Sequence, residues 1–189
     1  MEENRGKLIA AGRKAFASEG FAAASMDALT ASAGLTRGAL YHSFGDKTGL
    51  LAAVVAEVDA EMAARAREAG AGAGSDWDRL LAEGAAYIAM ALDPDVRRIV
   101  LLDGPAFLGD PSRWPSQNAC LEETKQTVAR LMESGVMKQV DIEAAARLLS
   151  GAALNAALWV AASDDPQSVL PRAVGAFRLM AEGFLAGKG

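Results

Sequence analysis

Apolar residues recur at intervals of three and four along most of this chain, which is the spacing of an amphipathic α-helix. The first stripe lies within residues 5–19 and consists of Leu8, Ala11, Gly12, Ala15 and Phe16. Gly20 follows this stripe and predicts the end of the helix, because glycine readily adopts the conformation that terminates one. No segment shows the sustained two-residue alternation of a β-strand. The pattern therefore predicts an all-α protein.

Glycines, prolines and Asp-Pro pairs divide the rest of the chain into further helical stretches. The predicted helices are 26–33, 36–42, 47–68, 76–92, 95–102, 116–134, 142–163 and 167–186. Residues 69–74 are a Gly-Ala run that predicts a loop, and glycines and prolines within 104–115 predict a loop-rich segment. We expect about nine helices, arranged as an N-terminal three-helix unit over 1–50 and a C-terminal helical bundle over 51–189.

The most informative stretch contains two short helices joined by a glycine turn. Ser25 and Thr36 stand at the starts of these helices, where their hydroxyls can accept hydrogen bonds from free backbone N–H groups. Gly34 closes the first helix. In the second, Leu40 and Phe44 are spaced to pack inward. This arrangement is a helix-turn-helix, whose second helix enters the major groove of DNA.

The segment Ser25–Leu51 resembles the DNA-binding motif of the tetracycline-repressor (TetR) family of bacterial regulators. The matching residues are Ser25, Leu29, Ala33, Gly34, Leu35, Thr36, Gly38, Leu40, Tyr41, Phe44, Lys47 and Leu50. Two positions depart from the family pattern. Thr30 replaces the usual Ala, and Ser43 replaces a His or Tyr that would contact a phosphate. The motif covers about the first quarter of the chain, and the remainder agrees with the family in length and helical character.

The resemblance implies that 1–50 is a DNA-binding domain and that 51–189 binds a small-molecule effector and forms a homodimer. The residues expected to contact double-stranded operator DNA are Ser25, Met26, Thr36, Arg37, Gly38, Tyr41, His42 and Lys47. Arg37 is expected to read a base edge, and Tyr41 and Lys47 to bind phosphates. Gly38 disfavours a helix, so we expect it to permit close approach of the backbone to another surface.

The last two predicted helices have broad apolar faces, within residues 145–160 and 169–185. A helix that is apolar nearly all round is buried. Burial on two sides near the end of a small protein predicts a homodimer through these helices, since two-fold dimers are the commonest oligomers. The alternative is that both helices only complete the core of one chain.

Large and polar residues of the C-terminal part predict a pocket for a small, largely apolar effector. The residues expected to contact it are Trp77, Tyr87, Phe107, Trp114, Asn118, Asn155 and Trp159. Each aromatic residue taken singly is better explained as ordinary core. A cavity among them is expected because the resemblance implies a small-molecule effector site. Asn155 lies within an apolar helix, where its amide needs a partner: the effector, another helix or the second subunit.

Composition adds compartment and charge to this picture. The 189 residues are 51% hydrophobic and 23% charged, as expected of a globular protein. We expect no apolar run long enough to span a membrane, and therefore no membrane span, together with no signal peptide and a cytoplasmic location. The net charge of −5 is unusual for a DNA-binding protein. However, residues 1–47 carry six basic against five acidic side chains, so the acidity belongs to the rest of the chain.

The chain offers few groups for catalysis or metal binding. His42 and Cys120 are its only histidine and cysteine. We therefore expect no enzyme activity, cofactor, metal site or internal disulfide. The function that these observations favour is a ligand-responsive repressor, released from a palindromic operator by a small-molecule effector. The alternative is a helical small-molecule-binding module or enzyme whose helix-turn-helix no longer binds DNA.

Overall fold

The computed structural model describes residues 2–187, which are almost entirely helical. Among these residues there is no strand, and an isolated antiparallel bridge pairs Met137 with Leu185. The nine α-helices within residues 2–187 are α1 (Glu2–Glu19), α2 (Met26–Ser32), α3 (Arg37–Phe44), α4 (Lys47–Gly70), α5 (Asp76–Ala89), α6 (Gly104–Leu108), α7 (Pro115–Glu133), α8 (Ile142–Ala162) and α9 (Pro166–Glu182). The predicted all-α architecture is confirmed.

Helix starts follow the capping residues found in the sequence. The Thr36 hydroxyl accepts a hydrogen bond from the Ala39 N–H at 3.2 Å, and Ser25 caps α2 in the same way. A carboxylate oxygen of Asp141 accepts from the Ala144 N–H at 2.7 Å. These bonds satisfy N–H groups that have no partner inside the helix. Local chemistry therefore determines where α2, α3 and α8 begin.

The 93–111 segment differs from its prediction. A short α-helix was expected over 95–102, with loop beyond it, but Val96–Asp103 forms a π-helix that continues directly into α6. A 3₁₀ turn, Pro111–Arg113, follows. Pro105 does not prevent α6 because it lies in the first turn, where its missing N–H would have no partner. The wider π turn still buries Val96 and Ile99, so hydrophobic spacing alone does not reveal it.

The chain packs as two compact units. The first runs to Ala60 and also contains the 93–111 segment. The second contains Glu61–Leu92 and the chain from Ser112 onward. Helix α4 therefore continues from one unit into the other.

The first unit is built around α1, α2 and α3, which pack against one another in pairs. Leu8 and Phe16 from α1, Leu40 from α3 and Leu50 from α4 are all fully buried. A β-carbon at Gly12 would lie only 3.1 Å from the Leu50 side chain, so α1 and α4 approach closely here. This core holds α3 at the surface of the unit.

The 93–111 segment is tied to the C-terminal end of α1. Asp103 accepts a hydrogen bond from the Phe21 N–H at 2.7 Å. The rings of Phe21 and Phe107 lie 4.4 Å apart, and Arg13 forms an ion pair with Asp95 at 3.2 Å. These contacts join residues about eighty positions apart. They explain why this segment belongs to the first unit.

The second unit has its own core among α5, α7, α8 and α9, in which α5 and α8 each contact the other three helices. Part of this core is a cluster of Leu80, Leu121, Val128, Leu131, Met132, Met137, Ala145, Ala146, Leu149 and Ala181. Gly84 lets the Phe177 ring approach α5, because a β-carbon at this position would lie 2.4 Å from the ring. The C-terminal bundle is therefore closely packed.

Helix α8 corrects one expectation from the sequence. The sequence was expected to contain no apolar run long enough to span a membrane, but Ile142–Ala162 passes that test by length and composition. This is weak evidence for a membrane span, because the core helix of a helical bundle has the same properties. Here α8 packs against α5, α7 and α9 of its own unit.

The close approach of Gly49, near the start of α4, to Phe44 allows the packing of the first unit to be tested. A β-carbon at Gly49 would lie 1.9 Å from the Phe44 carbonyl oxygen, so Gly49→Ala must displace backbone. We expect it to lower the free energy of unfolding by about 1–3 kcal/mol, measured by denaturant titration. Gly6→Ala is the matched control, since no atom lies within 4 Å of its added methyl. It should raise stability by about 0.5–1 kcal/mol. Equal effects of the two changes would contradict this packing.

Candidate nucleic-acid interface

Helix α3 has one inward and one outward face. Leu40 is fully buried and Phe44 is half-buried, with the Arg5 guanidinium 4.5 Å from the centre of its ring. On the other side, the Tyr41 side chain is 53% exposed. Thr36, Arg37, Gly38 and His42 are also exposed. The structure thus brings the predicted residues of this helix together on one solvent-facing surface.

Helix α2 supports this surface. Ser25 is its N-cap, with a 3.4 Å hydrogen bond from the Ala28 N–H, and Met26 is half-buried. Thr30, one of the two departures from the family pattern, is buried, and its hydroxyl donates to the Met26 carbonyl at 2.9 Å. The departure is accommodated because the hydroxyl is satisfied within the helix. Ser43, the other departure, is half-buried.

Gly38 has no role in the packing of the chain. A β-carbon at this position would meet only the Thr36 hydroxyl, at 3.6 Å, which is an ordinary contact. By contrast, Gly34 and Gly45 have φ angles of +66° and +79°, which residues that carry a side chain rarely adopt. Those two glycines are therefore explained by the turns after α2 and α3. The fold gives no reason for a glycine at position 38.

Lys47, the first residue of α4, is held beside the end of α1. Its ammonium group lies 4.8 Å from the centre of the Phe21 ring and donates to the Ala22 carbonyl at 3.3 Å. A lysine ammonium has three donors, so this bond leaves capacity for an anion. The position of Lys47 therefore depends on the same Phe21 that bonds to Asp103.

Arg37 has a partner that sequence reasoning missed. Its Nη2 donates to Asp27 Oδ2 at 2.9 Å, and its Nε pairs with Asp27 Oδ1. Asp27 lies in the first turn of α2. Nothing in the local pattern links positions 27 and 37, because the contact arises only when α2 and α3 cross. The base-reading residue expected from the sequence is thus already engaged by a carboxylate.

The residues predicted to bind an effector lie in several environments. Trp77 packs against the buried cluster of the second unit, and the Tyr87 hydroxyl accepts from Gln117 at 3.4 Å. Trp114 is buried, and its indole N–H has no hydrogen-bond partner within the described part of the chain. Phe107 lies in the first unit, against Phe21.

The remaining three residues, Asn118, Asn155 and Trp159, are exposed. The partner predicted for the Asn155 amide stays a prediction, because Asn155 lies on the exposed side of α8 in the single chain. Periodicity did not reveal this, since small apolar residues surround the position on the helix.

The exposed side of α8 and α9 is markedly apolar. Leu148 is 60% exposed, Trp159 44% and Leu179 71%. The Arg172 guanidinium lies 5.5 Å from the centre of the Trp159 ring. The single chain therefore leaves one side of α8 open, and the prediction that a second subunit buries this side stays a prediction.

A half-buried acid in the second unit also escaped sequence reasoning. Burial raises the pKa of the Glu83 carboxyl on α5, and the positive charge of Arg79 opposes this shift. An acidic residue in an amphipathic helix normally faces solvent. Its burial depends on the neighbouring helices, so no local signal identifies it.

An open cleft of about 580 Å³ lies beside α1 in the first unit. Its lining residues are Ala10, Arg13, Lys14, Ala17, Ser18, Glu57 and Asp95. None of them was predicted to bind the effector. Arg13 is paired with Asp95 at 3.2 Å and with Glu57 at 3.9 Å, so its charge is compensated within the cleft. Among the described residues, no cluster of three histidine, cysteine or acidic side chains could hold a metal ion.

Comparison with known families supports the assignment made from the motif. Residues 8–54 match the model of bacterial regulatory proteins of the tetR family. Residues 77–184 match the tetracyclin repressor-like C-terminal domain. Comparison with curated proteins gave no match.

Solved structures extend the similarity to the whole chain. A TetR-family transcriptional regulator from Pectobacterium atrosepticum is 44% identical, with 100% of this chain and 97% of that chain covered and a TM-score of 0.90. FadR from Bacillus subtilis, in complex with stearoyl-CoA, is 16% identical over 94% of this chain and 98% of its own, with a TM-score of 0.74. RolR, in complex with resorcinol, is 16% identical over 100% and 97%, with a TM-score of 0.70.

The similarity to the last two structures shows a shared fold alone. The helix-turn-helix geometry, the two family matches and the 44% identical relative together lead to one conclusion. The chain is a member of the TetR family of bacterial transcriptional regulators.

Proposed function

We propose that this regulator is a homodimeric repressor that binds a palindromic operator through α3 and releases it when a small, largely apolar effector binds the second unit. The observation that carries the proposal is the outward face of α3. Its residues are exposed, while Leu40 alone is fully buried beneath them. A protein with this role acts where bacterial DNA lies, in the cytoplasm.

The proposed DNA contacts divide into base reading and phosphate binding. Arg37 reads a guanine, since an arginine that donates two hydrogen bonds to guanine is the commonest specific contact. Tyr41 and Lys47 bind phosphates that position α3, and Thr36 and His42 flank them. Ser25 and Met26, at the start of α2, contact the sugar-phosphate backbone of the DNA. Gly38, which the fold does not require, allows the backbone of α3 to approach DNA closely.

The proposed dimer forms through the exposed apolar side of α8 and α9. Leu148 and Leu179 are the most exposed large apolar side chains on these helices. A two-fold axis would bring the same surfaces of two subunits together and bury them. It would also fix the separation of the two α3 helices, and operator half-sites lie one helical turn of DNA apart, or a multiple of it.

The effector is proposed to bind the second unit, near Trp114. A buried N–H without a partner costs about 1–3 kcal/mol, so an effector with a hydrogen-bond acceptor would relieve that cost. Trp77 and Tyr87 supply aromatic surface. Asn118, Asn155, Trp159 and Phe107 are exposed and would take part only if the effector covers them. The stearoyl-CoA and resorcinol of the two similar folds differ greatly, so the fold does not determine the effector.

The 93–111 segment is proposed to couple the effector to α3. It belongs to the first unit, but the chain joins it at both ends to helices of the second, α5 and α7. A shift of either helix would act on the bond between Asp103 and the Phe21 N–H. Phe21 in turn lies against Lys47, at the edge of the DNA-binding surface.

Gly38→Ala tests whether α3 is the DNA reader. The added methyl contacts no atom closely, and alanine favours helix by about 1 kcal/mol, so the variant should be at least as stable as wild type. Operator affinity should nevertheless fall about tenfold or more, because even one methyl separates closely packed surfaces. Stability would be measured by thermal melting. Operator affinity would be measured by titration with an operator that the wild-type protein has selected from random DNA.

Gly6→Ala is the control, since it makes the same change on an exposed part of α1.

Arg37→Ala should weaken the free energy of operator binding by about 1–3 kcal/mol and relax the preference for one base pair in each half-site. Unchanged binding by both Gly38→Ala and Arg37→Ala would exclude α3 as the reader. Failure of the wild-type protein to select any sequence would favour the alternative, a helical small-molecule-binding module or enzyme that no longer binds DNA.

Leu179→Glu tests the dimer surface. The wild-type protein should sediment as a dimer at micromolar concentration. The variant should be monomeric, because burying a charge without a partner is strongly unfavourable. Circular dichroism should show an unchanged helical fold, since the side chain is 71% exposed in the single chain. Gln126→Glu, on the exposed side of α7, should leave the dimer intact. A wild-type monomer, or a dimeric Leu179→Glu protein, would contradict the proposal.

Asp103→Ala tests the coupling route. A compound that stabilises the wild-type protein in a thermal-shift screen would serve as the effector. Its affinity would be measured by calorimetry with and without operator DNA. Because coupling is reciprocal, operator should weaken effector binding about 5–150-fold in wild type. The ratio of effector affinity without operator to effector affinity with operator should fall toward one in Asp103→Ala. It should not fall in Glu19→Ala, which removes an exposed acid at the C-terminal end of α1. An unchanged ratio in Asp103→Ala would rule out this route.

A further inference from the structure

We propose that Asp27 is a specificity-determining residue of the DNA-binding surface, which holds the Arg37 guanidinium side-on and presents its free edge to guanine. This inference rests on the proposed reading of operator DNA by α3. It adds a residue that the motif does not single out and gives it a separate, measurable effect.

The geometry is a two-point contact between α2 and α3. Arg37 Nη2 donates to Asp27 Oδ2 at 2.9 Å, and Arg37 Nε pairs with Asp27 Oδ1. Two nitrogens on one side of the guanidinium therefore face the two oxygens of one carboxylate. Such paired contacts fix the orientation of the planar group as well as its position.

The remaining side of the guanidinium has the correct donors for a base. A guanidinium has five N–H groups in one plane, and Asp27 uses one on Nε and one on Nη2. The second N–H of Nη2 and one N–H of Nη1 then point in parallel away from the carboxylate. Two parallel donors match O6 and N7 of guanine in the major groove. Asp27 therefore leaves Arg37 with the edge that distinguishes guanine from the other bases.

The ion pair contributes little to the stability of the fold. The side chains of Arg37 and Asp27 are 55% and 72% exposed, and ion pairs this exposed contribute little to stability because solvent screens them. A pair of this kind can be removed without unfolding the unit. Because the pair lies on the surface proposed to face DNA, its role is in the recognition of DNA.

Asp27 also places a negative charge where DNA phosphates approach. A carboxylate opposes non-specific binding, which consists mainly of attraction between basic side chains and phosphates. It also keeps Arg37 from turning toward a phosphate. Specificity often requires a group that disfavours the wrong partner in addition to one that favours the right partner. Asp27 performs both roles: it orients Arg37 for guanine and weakens binding to other sequences.

The test compares Asp27→Ala and Asp27→Asn with wild type in the full-length protein. Each protein is titrated with the selected operator, with the same operator changed at the guanine that Arg37→Ala identifies, and with unrelated DNA at several salt concentrations. We expect the ratio of affinities for the first two DNAs to fall about tenfold. Affinity for unrelated DNA should rise, and its salt dependence should steepen by about one counterion per subunit.

Two controls separate this role from a structural one. Glu19→Ala removes the same charge at an exposed position outside the motif, and should change neither the ratio nor thermal stability. In an Arg37→Ala background, Asp27→Ala should cause no further loss of discrimination. A purely structural role would lower affinity for all DNA together.

The outcomes are distinguishable from failure of the proposed function. If wild type prefers its operator and Asp27→Ala discriminates equally well, Asp27 has no positioning role. If Asp27→Ala alters preference at a base pair that Arg37→Ala does not affect, Asp27 reads that pair itself and the proposal is overturned. If wild type shows no preference among the three DNAs, the DNA-binding function is wrong and this inference falls with it.

Discussion

The burial of Leu40 beneath α3 is the contact on which the DNA-binding surface depends. Helix α3 has only 8 residues, and an isolated helix of this length is not stable in water. Leu40 is its only buried residue, and α3 packs against α1 and α2. The outward residues gain a fixed position from Leu40, from the half-buried Phe44 and from the Thr36 cap. The orientation of the proposed DNA-reading surface is therefore determined by the buried contacts of α3.

Around this anchor, the chain connects DNA recognition with the rest of the molecule in two ways. Helix α4 begins with Lys47 and continues into the second unit, where α8 and α9 expose the apolar surface proposed for dimerisation. The 93–111 segment returns to the first unit and bonds to Phe21, the residue beneath Lys47. By these two routes, a change in the second unit would alter both the spacing of the two proposed readers and the position of the proposed phosphate contact at Lys47.

Sequence reasoning succeeded where the determining interaction is local. Ser25, Thr36 and Asp141 cap the helices that they were expected to begin, because an N-cap acts within three residues. It failed where folding brings distant residues together: Asp27 with Arg37, and Asp103 with Phe21. It did not show that Asn155 is exposed in the single chain, because spacing shows which residues are apolar but not which side of a helix remains uncovered. It also missed the π-helix, because the wider turn still buries Val96 and Ile99. The DNA-contact and effector assignments remain predictions.

Methylation interference on the selected operator would test the central claim most directly. Methylation of guanine N7 blocks the acceptor that Arg37 is proposed to use in the major groove. The account predicts that N7 methylation of one guanine in each of two symmetric half-sites blocks wild-type binding. It also predicts that the same modification has little further effect on Arg37→Ala. Equal interference for both proteins, or no interference at symmetric guanines, would contradict the claim that α3 reads the operator through Arg37.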